Sequence, residues 1–247
     1  MVELIEGTAR AGYGAVGLWR DRLDECGAGA ARNRALAAGI QISSLCRGGW
    51  FCAPDAIARR ARMEDNFRAV DEAAQLGALT LVLVCGPAAS NDLEAGRREV
   101  VEAIEELAEY AATRDVALAV EPLHPLYCGD RSVVVTLAQA LTLGVGVVID
   151  SYHVWWDPQL EASIASSAGR ILGFHLADWL APPPDPLNGR GMLGDGTIDL
   201  RRIRRLVDSA GYEGPIEVEI FNPSVWALDP AEALELLGAR YREHVAG

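Results

Sequence analysis

Seven short apolar runs recur along the chain, and a stretch with helical spacing separates each from the next. The runs are "AVGLW" (15–19), "QISSL" (41–45), "TLVLV" (80–84), "ALAVEP" (117–122), "VGVVID" (145–150), "ILGFHLAD" (171–178) and "IEVEIF" (216–221). Helices are predicted over 22–38, 55–77, 92–114, 132–143, 158–168, 199–210 and 230–245. Their punctuation fits, with glycine after several helices and Asp-Pro opening two of them. Repeated strand–helix units with near-continuous apolar strands require a parallel sheet covered by helices. The segment "VELIEGTARAGYG" (2–14) is itself helical in spacing and runs straight into the first strand. A strand should stand before that helix, and none is present.

The expectation is therefore an α/β fold, a (β/α)8 TIM barrel lacking its first β-strand, built as a single domain from residues 1–247. No linker divides the chain. The Pro-rich stretch "APPPDPLNGRG" (181–191) lies between a strand and a helix and reads as a long functional loop.

Charge and composition narrow the function. Net charge is −13, which disfavours nucleic acid and anionic membrane as partners. All 22 basic residues are arginine, so lysine Schiff-base chemistry, a P-loop and a lysine general base are excluded within the chain. The five cysteines show no CxxC spacing, which argues against a disulfide framework and fits a reducing cytoplasm. No apolar run reaches the roughly 20 residues of a membrane helix, and no signal peptide is evident.

Four strands in the second half carry a metal-capable residue at or near their C-terminal ends: Glu121, Asp150, His175 and Glu219. In a parallel barrel these ends converge on one mouth. Side chains alternate along a strand, so residues two and four earlier must share the inward face. Those are Ala119 and Ala117, Val148 and Gly146, Gly173 and Ile171, and Glu217 and Pro215. All but Glu217 suit a packed interior; Glu217 should need an arginine or a hydrogen-bond partner beneath the site. Three carboxylates and an imidazole held together would repel, and a divalent cation removes the conflict. Hard oxygens plus one nitrogen favour Mn²⁺, with Mg²⁺, Co²⁺ or Zn²⁺ as alternatives.

Taken together, "VEPLHP", "VVIDSYHVWWD", "FHLADW", "GRGMLGDGTIDL" and "IEVEIFN" resemble the sugar phosphate isomerase/epimerase superfamily with its xylose-isomerase-like barrel. Its members include ketose 3-epimerases, hydroxypyruvate isomerase, and inosose isomerases and dehydratases. The resemblance implies metal ligation by Glu121, Asp150, His175 and Glu219, and substrate binding by His153 and Arg190. It also implies that Glu121 and Glu219 double as the acid/base pair.

The expected chemistry is proton transfer through a metal-stabilised enediolate of a keto-sugar or cyclitol, a small polyhydroxylated carbonyl compound. His124 is a further pocket candidate, and Asp178 either orients His175, binds a hydroxyl or joins a rim salt bridge. The tryptophans, Trp155 and Trp179 among them, fall just past strand ends, as aromatic walls for substrate, as rim packing or as a homodimer contact. Without lysine a phosphate site would need Arg47, Arg190 or "GDG" (194–196), so an unphosphorylated substrate is favoured. Two alternatives stay open: a metal-dependent lyase (a dehydratase or keto-glycoside deglycosidase), and a non-catalytic partner subunit completed by another chain.

Overall fold

The computed structural model describes residues 1–246. Helix α1 (Val2–Arg10) leads into β1 (Ala15–Trp19), followed by α2 (Ala28–Ala38) and β2 (Gln41–Gly49). Next come α3 (Ala56–Leu76), β3 (Leu81–Val84), α4 (Leu93–Ala112), β4 (Leu118–Val120), α5 (Leu137–Leu141) and β5 (Gly146–Asp150). Two short helices, α6 (Ser151–Val154) and α7 (Leu160–Ser166), precede β6 (Ile171–Leu176). A two-residue pair, β7 (Asp178–Trp179) and β8 (Arg190–Gly191), flanks the Pro-rich loop. The chain closes with α8 (Leu200–Ser209), β9 (Ile216–Val218), α9 (Pro223–Trp226) and α10 (Pro230–His244).

Seven strands form one sheet in the order β1-β2-β3-β4-β5-β6-β9, and every neighbouring pair is parallel. Helices between the strands make this a nearly closed TIM barrel. The two end strands, β1 and β9, are not paired with each other, which leaves a seam. Side chains stitch that seam: Ser44 Oγ on β2 donates to Glu217 Oε2 on β9 at 3.0 Å. Gly17 on β1 makes room for the crossing, because a Cβ there would stand 2.1 Å from Glu217 Oε2. Outside the seam, a groove of about 1150 Å³ runs between α1 and α10, away from the strand-end carboxylates.

Local chemistry explains the boundaries. Asp55 and Asp92 accept from the backbone N–H groups of Ala58 and Ala95 and start α3 and α4. Gly77 ends α3 at φ 68°, a left-handed conformation that glycine takes without strain. The main core lies between sheet and helices. A second, smaller cluster of Cys46, Val82, Ala119 and Val148 fills the barrel interior. Ala119 and Val148 are thus inward, as strand parity predicts for the residues beneath Glu121 and Asp150.

Three segments differ from expectation. β2 runs on to Gly49, past the predicted end at Leu45, because a bulge between Cys46 and Gly48 keeps it paired with β3. The predicted helix 22–38 splits into a 3₁₀ turn, Arg20–Glu25, and α2. The predicted helix 132–143 shrinks to α5, because Ser132 pairs instead with Gly86 and Val133 N–H bonds to Gly86 O.

Candidate metal centre and active site

β4, β5, β6 and β9 are adjacent in the sheet and deliver the four expected residues to one place. Glu121, Asp150, His175 and Glu219 each offer a ligand atom, and these atoms all lie within 4.8 Å of one another. Register explains the convergence: Asp150 pairs with His175, and His175 with Glu217, which puts Glu219 one inward step above. Asp150 is wholly buried, and Glu121 and His175 nearly so.

The cluster is under-satisfied in a way that suits a cation. Glu121 Oε1 and both ring nitrogens of His175 are buried without a hydrogen-bond partner. Glu121 Oε1 and His175 Nδ1 stand 3.2 Å apart yet lack the alignment of a hydrogen bond. Buried polar atoms left without partners in this way are costly unless something else engages them. The group could hold a metal ion: two glutamates, an aspartate and an imidazole, with no thiolate, form a donor set for a hard divalent cation.

Charge in the cluster is balanced by Arg190, which is buried on β8. Its Nη1 lies 3.0 Å from both Asp150 Oδ2 and Glu219 Oε2, and also donates to Glu219 O at 3.1 Å. Its guanidinium spans the rings of Tyr152 and Phe221. Burial works against the Asp150 carboxylate, but Arg190, His153 and His175 outweigh it and lower the pKa. Burial dominates at Glu219 and lifts its carboxyl to about 7 despite Arg190, with Glu121 adding repulsion. Burial also opposes the His175 imidazolium, yet Glu217 and Glu121 hold its pKa well above the usual range.

Glu217 has the partner the sequence demanded. Its Oε1 is 3.6 Å from His175 Nε2, and Ser44 holds its other oxygen. It therefore stands on the opposite edge of the ring from Glu121, on the side where carboxylates commonly stand behind metal-binding histidines.

His153 is buried, one helical turn past Asp150. Its Nδ1 accepts the backbone N–H of His124 at 3.2 Å, which assigns the remaining proton to Nε2. With the proton there, Nε2 and Arg190 Nη2, 3.2 Å apart, are both donors and make no hydrogen bond, and Asp150 Oδ2 at 3.7 Å is the acceptor that Nε2 faces. Burial depresses the His153 pKa to about 4, so the ring is neutral at physiological pH and can donate through Nε2.

The other expected residues take different positions. The His124 ring accepts from Leu126 N–H and stacks on Trp179 at 4.7 Å; only its backbone touches His153. Trp155 and Trp179 pack on each other at 5.6 Å and against the main core. Asp178 neither orients His175 nor joins a rim salt bridge. Its carboxylate accepts the N–H groups of Gly194, Gly196 and Ile198 and so folds the "GDG" loop. Tyr127, which no motif marked, and Tyr152, passed over inside "VVIDSYHVWWD", both donate to Pro186 O and pin the Pro-rich loop over the site.

Residues 5–240 match the family model described as xylose isomerase-like TIM barrel. The chain belongs to that family. Protein SMc04130 from Sinorhizobium meliloti 1021 is 46% identical, with a TM-score of 0.95 over 99% of this chain and 93% of that one. The IOLI protein with a bound zinc atom has the same fold, at 20% identity and a TM-score of 0.85 over 98% of this chain and 92% of its own. A ketose 3-epimerase from Arthrobacter globiformis is 26% identical over 179 residues, 68% of this chain. The matched region spans 58% of that relative's length. No helix among the described residues is long and apolar enough to cross a membrane.

Proposed function

We propose that this xylose isomerase-like barrel is a divalent-metal-dependent epimerase or isomerase of a keto-sugar or cyclitol. The observation that carries this reading is the four-donor cluster at the mouth, with a glutamate at each end of its row of strands. Glu121, Asp150, His175 and Glu219 would hold the metal, with Mn²⁺ the best match to the donor set. A bound divalent ion supplies Lewis acidity that makes the C–H beside a carbonyl acidic.

The protein's own groups do the rest. Glu121 on one side of the row takes the proton, and Glu219 on the other returns one, or the reverse. His153 donates from Nε2 to a substrate oxygen, and Arg190 supports the neighbouring oxygen once it leaves its carboxylate partners. Tyr127, Tyr152 and the Pro-rich loop they pin keep bulk water from the carbanion. A lyase with a bulky leaving group is less well supported, because Trp155, Trp179 and His124 spend their faces on one another. The five cysteines are all free, in keeping with a reducing compartment such as the cytoplasm.

The test is solvent exchange. Mn²⁺-loaded protein in D₂O should place deuterium on the carbon beside the carbonyl of one member of a ketose and inosose panel. Glu219→Gln should abolish that exchange. Loss of water or an aglycone would assign the lyase instead, and no exchange across the panel would sink the catalytic reading.

A further inference from the structure

Arg47 is the bulged residue of β2, the extra one between Cys46 and Gly48 where the register with β3 shifts. Bulges beside active sites re-aim a side chain, and here the guanidinium is laid over the ring of Trp50, 4.1 Å from its centroid. Trp50 is built as a platform. Its backbone is left-handed at φ 61°, a strained state for a bulky residue. Val84 O, the Arg62 side chain on Trp50 O, and the close approach of Gly86 hold it there. Trp50 in turn packs on the mouth cluster of Val84, Leu123, Tyr127, Tyr152 and Ala177.

Among the described residues, Arg47 and Arg131 are the arginines not fully exposed that make no hydrogen bond to a carboxylate or carbonyl, and Arg47 has no ion pair either. It borders an open pocket of about 460 Å³ between β1 and β2. The carboxylates there are engaged or solvated: Asp65 and Glu72 grip Arg20, while Asp21 and Asp24 are exposed. A second cation approaches from the next loop. Arg131 precedes Ser132, which pairs with the Gly86 that abuts Trp50. Arg131 Nε is buried without a hydrogen bond, and its nearest carboxylate is Asp130 at 3.7 Å. Burial lowers the Arg47 pKa and the Arg131 charge lowers it further, as for cations that lack their anion. A chain of net charge −13 thus sets two guanidinium groups without a hydrogen-bonded protein anion beside its candidate mouth.

We propose that Arg47, assisted by Arg131, binds an anionic oxygen group, carboxylate or phosphate, at the end of the substrate remote from its carbonyl. The substrate class becomes a charged keto-sugar, a ketose phosphate or keto-uronate, in place of the neutral one favoured on lysine content alone. Trp50 supplies the face that holds the guanidinium in plane for bidentate contact. The proposal rests on the sugar-epimerase reading for the remainder of the ligand, but its test does not require turnover.

Calorimetric titration of Mn²⁺-loaded protein with D-fructose, D-fructose 6-phosphate and D-fructuronate compares neutral, phosphate and carboxylate forms. At least one anionic ligand should bind tighter than D-fructose, and which one it is assigns the group. Arg47→Gln should cut that preference roughly tenfold to a hundredfold, Arg131→Gln less, and Arg47→Lys should restore part of it. Added NaCl should weaken the anionic ligand selectively. Equal binding of all three, binding of none, or a preference that survives Arg47→Gln in a variant that still takes up metal would overturn the proposal. Failure of the epimerase reading looks different: no solvent exchange, with the charge preference and its loss in Arg47→Gln intact.

Discussion

Glu219 gives the most quantitative test. In the metal-free protein burial lifts its carboxyl from an ordinary 4.5 to about 7, against the pull of Arg190. The unfolded chain ionises this group near 4.5, so between 4.5 and about 7 the folded state keeps a proton that the unfolded state has released. The stability that depends on this group therefore falls as pH rises through that window. At 1.36 kcal/mol per pKa unit, the full fall is about 3 kcal/mol. Glu219→Gln removes the titration while keeping shape. Denaturant unfolding of EDTA-treated protein should find wild type and variant within about 1 kcal/mol of each other at pH 5. At pH 8 the variant should be the more stable by about 2–3 kcal/mol. Asp150 is held below its ordinary 3.8 and titrates beneath the window, and His175 is common to both proteins. Saturating Mn²⁺ should reverse the order at pH 8, since a ligating carboxylate must be ionised. The same difference at both pH values, without metal, would refute the burial argument.

Other perturbations probe the supports. Glu217→Gln should weaken Mn²⁺ binding about tenfold to a hundredfold by releasing the His175 ring, read by metal titration of folded variant. Gly17→Ala should displace Glu217, whose oxygen would sit 2.1 Å from the new Cβ, and cost about 1–3 kcal/mol in denaturant unfolding. Asp178→Ala leaves three loop N–H groups unmet; a loss of about 2–4 kcal/mol and faster proteolysis within residues 180–198 are expected.

Strand parity made the site legible in the sequence. Glu121, Asp150, His175 and Glu219 each lie two residues beyond an inward position, and a parallel barrel leaves such groups one place to meet. What stayed hidden depends on local geometry that no periodicity encodes. The Arg47 bulge lies in "CRGGW", past the predicted strand end at Leu45, where alternation gives no sign of a register shift. Asp178 in "FHLAD" reads equally as a support for His175, a hydroxyl ligand or a rim salt bridge, whereas its reach to a loop sixteen residues on is a tertiary fact. The tryptophans were equally ambiguous, since an aromatic ring past a strand end can face substrate or its own neighbours. Only the packing of Trp179 between His124 and Trp155 shows which faces are used.

The seam between β1 and β9 has a dynamic consequence. β9 is hydrogen-bonded to β6 alone, and the groups that tether it elsewhere, Glu217 to Ser44 and Glu219 to Arg190, are those that shape the candidate metal centre. Local unfolding of this edge strand and disassembly of the ligand set are then a single event. Amide exchange at residues 216–219 should slow on metal loading while β3 and β4, flanked on both sides, scarcely respond. The ion would act as the clasp of an open ring, and its release rate would be set by how often that strand lets go.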